Sequence, residues 1–85
     1  MLLVINLYFI FIGGNHMLEY VNKISDIETL TDDPESYTTA DLRRAIRDAY
    51  NVYYYGNKSY AWYEQVWRIC NEVLEMRGEP KEAKK

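Results

Sequence analysis

The sequence contains few residues of the kinds that build disulfides and metal sites. It has one cysteine, Cys70, and one histidine, His16, among 85 residues. A single cysteine excludes an intrachain disulfide and is typical of a reducing compartment, so we expect a cytoplasmic protein. Because zinc needs a cluster of cysteine and histidine ligands, we expect no metal site and no cofactor.

Residue groupings that enzymes use are also missing. No serine, histidine and acid are spaced for nucleophilic catalysis, and no glycine-rich segment could hold phosphates. The acids Asp32, Asp33 and Glu35 surround Pro34 in a polar segment, where water solvates them. The sequence therefore predicts no catalytic residues, and we expect a protein that acts by binding.

The one long apolar run, MLLVINLYFIFI, opens the chain. At about a dozen residues it is shorter than the ~20 that span a bilayer, and it lacks the basic start of a secretory signal, so we expect no membrane association. Residues 12–17, IGGNHM, can be encoded by a purine-rich ribosome-binding site, a short spacer and a start codon. We therefore expect residues 1–16 to be a translated leader from a bacterial or phage gene, with a hydrophobic anchor or a structural arm as alternatives.

Residues 17–78 are predicted to form a single small helical domain, followed by a charged tail over 79–85. The core of so small a domain supplies on the order of a few kcal/mol, and such chains commonly depend on disulfides, metals or self-association. Only self-association is open here, so we expect a homo-oligomer. The net charge of −3 is uneven: residues 17–42 carry seven acids and one lysine, while residues 43–85 carry nine bases and six acids.

The chain is predicted to be all-α, an antiparallel helical hairpin preceded by a shorter helix. Apolar residues recur at helical spacing from Met17 to Ile27 and predict the short helix over about 17–30. Ser25 and Glu28 match a capping box, which leaves open the alternative that a fresh short helix begins there. The acidic segment TLTDDPESYTT is predicted to be a linker. The hairpin helices are expected over about 38–55 and 59–77, with Thr38 as N-cap and glycines as helix ends, Gly56 at the first and Gly78 at the second.

Helical periodicity assigns faces to the two hairpin helices. A core stripe is predicted to join the helices through two sets of residues: Leu42, Ile46, Ala49 and Tyr53, and Trp62, Val66, Ile69, Val73 and Met76. A second apolar stripe lies beside it on the later helix and consists of Tyr63, Trp67, Cys70 and Leu74. One partner helix cannot cover both stripes. We therefore assign the second apolar stripe to an oligomer interface, with the N-terminal helix or a target as alternative covers.

The earlier hairpin helix also carries an Arg/Tyr stripe: Arg43, Arg47, Tyr50 and Tyr54. Arginine binds carboxylates and phosphates, while tyrosine stacks on bases or anchors protein interfaces. Three interpretations are open: ion pairing with linker acids beside half-buried tyrosines, binding of a protein partner, or binding of a nucleotide or single-stranded nucleic acid.

Further tyrosines bracket the predicted hairpin turn. We expect Tyr53 and Trp62 in the core, and Tyr54, Tyr55 and Tyr60 in a partner interface. The leading hypothesis is a phage or mobile-element protein that binds and inhibits or modulates a host or defence-system protein through Arg43, Arg47 and these tyrosines. The alternative is an oligomeric binder of a phosphorylated small ligand, such as a nucleotide, or of single-stranded nucleic acid.

Overall fold

The computed structural model describes residues 23–85, and the regular structure in that range is helical. Three α-helices are present in it: α1 over Ile24–Asp32, α2 over Thr39–Tyr55 and α3 over Tyr60–Met76, with a 3-10 turn over Pro34–Ser36. The predicted all-α class is confirmed for this range. The predicted leader and the first residues of the short helix, 17–22, lie outside the described residues. Within 23–85, no helix has the length and apolar character required to cross a membrane.

The start and end of α1 differ from the prediction. The helix begins at Ile24, Lys23 makes no side-chain cap, and the predicted capping box at Ser25 is wrong because Ser25 already lies inside the helix. The Ser25 carbonyl accepts a hydrogen bond from Thr29 Oγ1 at 2.8 Å, within the helix. α1 also continues to Asp32, into the segment predicted to be an irregular linker.

The 3-10 turn fills much of the remaining linker. Pro34 opens it, a position where its missing N–H costs no hydrogen bond. Arg77, at the end of α3, donates to the Tyr37 carbonyl at 2.8 Å and to the Glu35 carbonyl at 3.1 Å. These bonds hold the segment between α1 and α2 against the far end of α3.

The bounds of α2 and α3 agree closely with the predicted 38–55 and 59–77. Thr38 Oγ1 accepts from the Asp41 N–H, and Ser59 Oγ accepts from the Trp62 N–H, each at 3.1 Å. Gly56 differs in detail, because it is the C-cap itself with a φ of −110° rather than a left-handed residue beyond it. A Cβ at Gly56 would lie 2.5 Å from the Val52 carbonyl oxygen, so glycine is needed for close approach.

Contacts at both ends show that α2 and α3 pack as a hairpin. At one end the rings of Tyr50 and Tyr63 lie 5.4 Å apart, edge to face. At the other, Arg77 donates to Thr39 Oγ1 at 3.3 Å. Because the start of α3 meets the end of α2 and the end of α3 meets the start of α2, the two helices run in opposite directions.

The core includes most of the predicted α2 stripe but differs on α3. Leu42, Ala45, Ile46 and Ala49 of α2 are buried together with Ile27 and Leu30 of α1. On α3, Met76 was predicted to be core and is 71% exposed. The buried apolar residues of α3 instead come from both predicted stripes, Val66 and Val73 from the core stripe and Tyr63, Cys70 and Leu74 from the second apolar stripe. The polar Asn71, which belongs to neither stripe, is buried with them.

This burial corrects the assignment of the second apolar stripe to an oligomer interface. Tyr63, Cys70 and Leu74 each have no exposed surface within a single chain. α3 contacts α1 and the 3-10 turn as well as α2, so more than one neighbour covers it. The stripe is therefore buried without a second copy of the protein, apart from Trp67, which is partly buried.

Candidate functional site

The chain reverses direction immediately after α3. Gly78 has a φ of +75°, a left-handed conformation that glycine adopts without a steric penalty. The Gly78 N–H donates to the Glu75 carbonyl at 3.0 Å and the Glu79 N–H to the Leu74 carbonyl at 2.9 Å, which is a Schellman motif. Residues 79–85, the C-terminal segment, thereby return along the hairpin. This is the segment predicted to be a charged tail, and it lies against α2 and α3.

Both arginines of the Arg/Tyr stripe contact this segment. Arg43 Nη1 lies 3.1 Å from one carboxylate oxygen of Glu82, and Arg47 Nη1 lies 3.4 Å from the other. Arg43 also donates to the Pro80 carbonyl at 2.8 Å and lies 4.0 Å from Glu79. Of the three interpretations of the Arg/Tyr stripe, ion pairing with acids of the linker is wrong in its partners, because the carboxylates that contact Arg43 and Arg47 come from the C-terminal segment.

The main chain of Glu82 is bound as closely as its side chain. The Asn71 side-chain amide donates to the Glu82 carbonyl at 3.1 Å and accepts from the Glu82 N–H at 2.7 Å. Trp67 Nε1 donates to the same carbonyl at 2.8 Å. Asn71 is only 2% exposed, so its amide is a buried polar group whose hydrogen bonds are made to the C-terminal segment.

Two lysines extend these contacts along α3. Lys84 Nζ lies 2.6 Å from Glu64 and 4.9 Å from the centre of the Trp67 ring. The hydrogen bond and charge of Lys84 lower the pKa of Glu64, and the hydrogen bond to Glu64 raises the pKa of Lys84. The Lys85 N–H donates to the Tyr63 hydroxyl at 3.0 Å. The C-terminal segment thus covers part of the second apolar stripe.

A second surface forms at the hairpin turn, where six tyrosines make a continuous set of ring contacts. We call this set the tyrosine end: Tyr50, Tyr53, Tyr54, Tyr55, Tyr60 and Tyr63. Tyr50 and Tyr54 stack at 5.8 Å, and Tyr54 meets Tyr55 edge to face at 4.9 Å. Burial, and then the neighbouring tyrosines, raise the pKa of Tyr50. The six rings therefore pack against one another as one cluster.

Exposure separates the members of the tyrosine end. Tyr63 is fully buried, and Tyr50 and Tyr53 are half-buried against the core. Tyr54, Tyr55 and Tyr60 are 62%, 81% and 39% exposed. An open groove of about 450 Å³ adjoins Tyr55 and is lined by α2 and turn residues, with Ile24 on its far side. Three large rings are thus presented to solvent above rings that are packed against the core.

The Arg/Tyr stripe is consequently divided between two surfaces. Arg43 and Arg47 contact Glu82, whereas Tyr54 belongs to the exposed tyrosine end. Tyr50 lies between them, since its ring packs on Tyr54 while Lys85 Nζ sits 5.5 Å from its centre. Sequence reasoning missed Asn71 and Glu82. The only signal for them was Gly78, which predicted a helix end but not the direction of the chain beyond it.

Cys70 has no accessible nucleophilic role in this arrangement. It lies fully inside the core, and burial raises the pKa of its thiol to about 12.

Comparison with protein families, with curated proteins and with solved structures finds no match to this chain. The function is therefore inferred from the tyrosine end and from the contacts of the C-terminal segment.

Proposed function

We propose that this protein is a non-enzymatic binding protein that holds a partner protein at its tyrosine end. The observation that carries the proposal is the exposure of Tyr54 and Tyr55 on top of a packed set of rings. Tyrosine is enriched among the residues that dominate binding energy at protein interfaces. It supplies a large contact area with few rotatable bonds, so little conformational entropy is lost when it binds.

The packing beneath the exposed rings adds to this argument. Tyr60 contacts both Tyr53 and Tyr63, which anchors the start of α3 against the end of α2. A side chain that is already held in its bound position loses less freedom on association. The tyrosine end is therefore suited to rigid docking, in which the partner meets a preformed surface.

The partner that we propose is a host or defence-system protein, inhibited or modulated by this chain as the product of a phage or mobile element. In this proposal the tyrosines make the contact and the arginines do not, because Glu82 engages Arg43 and Arg47. The nucleotide or nucleic-acid alternative needs those same two guanidinium groups and would have to displace Glu82 first. Self-association of the chain stays a prediction.

Photo-crosslinking from Tyr55 tests the proposal directly. A benzoylphenylalanine introduced at position 55 in the natural host should crosslink to one partner protein. With that partner purified, Tyr55→Ala should weaken binding by roughly tenfold or more, as expected for an interface anchor. Met76→Ala is the matched control, because Met76 is 71% exposed and belongs to neither surface. Equal affinities for the two variants would contradict the proposal.

A further inference from the structure

We infer that the cleft holding the C-terminal segment is a binding site for an extended, glutamate-containing peptide of a partner protein. The C-terminal segment is then its intramolecular occupant. The site is defined by four side chains: Arg43 and Arg47 from α2, and Trp67 and Asn71 from α3. This inference goes beyond the proposed function, because the tyrosine end could bind its partner whether or not the cleft accepts a peptide.

The α3 side of the cleft recognises main chain. Asn71 binds the N–H and the carbonyl of one residue simultaneously, at 2.7 and 3.1 Å. Trp67 Nε1 donates a second hydrogen bond to the same carbonyl oxygen. Such contacts require an extended peptide whose N–H and carbonyl are not used in a helix, but they require no particular side chain. Many peptides could satisfy them.

The α2 side supplies selectivity for a carboxylate. Arg43 and Arg47 each approach a different oxygen of the Glu82 carboxylate, at 3.1 and 3.4 Å. Hydrogen bonds between guanidinium and carboxylate groups are stronger than neutral ones and are sensitive to geometry. Arg43 also fixes the residue two positions earlier through the Pro80 carbonyl, at 2.8 Å. The site therefore selects a glutamate within an extended run.

The occupant is attached by bonds that another peptide could replace. Its residues are exposed except for Glu82, which is half-buried, and it places no large apolar side chain in the core. The attachment instead depends on hydrogen bonds, ion pairs and lysines over aromatic rings. In an empty cleft, water would have to replace the bonds that the segment makes to the Asn71 amide, whereas a second peptide would restore them directly.

The tether sets how strongly the segment competes. A short linker gives an attached ligand an effective concentration on the order of millimolar. A partner peptide of equal affinity must therefore be present above that concentration, or the attachment of the segment must first be weakened. Glu82→Lys weakens it most directly, since it places a cation against Arg43 and Arg47. The full-length Glu82→Lys chain is therefore the protein to test, with the synthetic peptide EPKEAKK as the probe.

Nuclear magnetic resonance of the nitrogen-15-labelled chain reports the occupancy of the cleft. The indole N–H of Trp67 and the side-chain amide of Asn71 should both shift in the Glu82→Lys chain. Added EPKEAKK should return both resonances toward their wild-type positions. The control peptide EPKQAKK, which lacks the central carboxylate, should bind roughly tenfold more weakly or worse. The wild-type chain should also bind EPKEAKK roughly tenfold more weakly, because its own segment competes.

Two results would overturn the inference. One is equal binding of EPKEAKK and EPKQAKK, and the other is a Glu82→Lys chain in which neither resonance moves. If Glu82→Lys prevents folding, Glu82→Gln carries the same comparison without reversing the charge. Met76→Ala should leave peptide binding unchanged, because Met76 is exposed and belongs to neither surface.

Discussion

The two aromatic surfaces of this hairpin differ in what covers them. At the tyrosine end, Tyr54 and Tyr55 contact each other and point to solvent. In the cleft, Trp67 lies beneath Lys84 and donates its indole N–H to the C-terminal segment. The C-terminal segment covers Trp67 in the cleft, whereas Tyr54 and Tyr55 at the tyrosine end remain largely exposed.

This difference shows that residue type alone does not identify an available surface. Arginine and tyrosine share one stripe along α2, yet the returning segment takes up Arg43 and Arg47 and leaves Tyr54 exposed. Surfaces that the chain covers itself contribute to stability, and binding there requires displacement. Surfaces that it leaves exposed can bind a partner without that cost.

The sharpest test of the comparison is on α3, where the second apolar stripe is interior to the chain. Leu74→Ala should destabilise the protein by about 2–5 kcal/mol, since Leu74 is fully buried and its loss leaves a cavity. Met76→Ala, two residues on, should change stability by less than about 0.5 kcal/mol because Met76 is exposed. Urea unfolding followed by circular dichroism measures both.

Protein concentration separates core from interface in the same experiment. If Leu74 packs within one chain, the midpoint of unfolding should be independent of protein concentration. A midpoint that rises with concentration in the wild type and loses this dependence in Leu74→Ala would restore the oligomer interface predicted from the sequence, because association stabilises by mass action.

Much of the helical architecture was predictable because its signals are local. Thr38, Gly78 and the apolar spacing of α2 determine helix ends and faces within a few residues of themselves. The start of α1 was less predictable, since Ser25 and Glu28 match a capping box that forms only if the helix begins after Ser25. The helix begins at Ile24 instead and buries Ile27 and Leu30.

The site was less predictable because it depends on contacts between distant residues. Asn71 and Glu82 are eleven residues apart, and Arg43 and Glu82 thirty-nine. A short charged segment gives no periodic signal, so its sequence does not distinguish a frayed tail from a bound one. The position of the exposed tyrosines beside the hairpin turn could be predicted from the sequence. The ion pairs that direct Arg43 and Arg47 to Glu82, away from those tyrosines, could not.

A smaller effect is expected where the chain turns into the C-terminal segment. Gly78→Ala should destabilise the protein by about 1 kcal/mol, because a left-handed backbone disfavours any residue with a Cβ. Nothing lies within 4 Å of the added atom, so the cost is conformational rather than steric crowding. Thermal unfolding measures it. Gly78→Asn is the control and should cost less, since asparagine tolerates this conformation; equal losses would point to a different cause.

The smallest effect is expected from pH acting on the Glu64–Lys84 pair. The pKa of Glu64 is lowered in the folded chain, chiefly by its hydrogen bond to Lys84, so the pairing favours attachment of the segment above the ordinary glutamate pKa. This contribution should be lost as the pH falls through the lowered value. The Trp67 indole resonance, followed from neutral pH into acid, measures it because Lys84 lies over that ring.

The charge-neutral variant Glu64→Gln isolates this pair from the other acids near the segment. It should remove the part of the acid transition that belongs to Glu64. Because both groups of the Glu64–Lys84 pair are solvent-accessible, added salt should weaken the same step. An identical pH profile in wild type and Glu64→Gln would mean that the Glu64–Lys84 pair does not contribute to attachment of the segment, and the cleft would then depend on Arg43 and Arg47 of α2 for its charge selectivity.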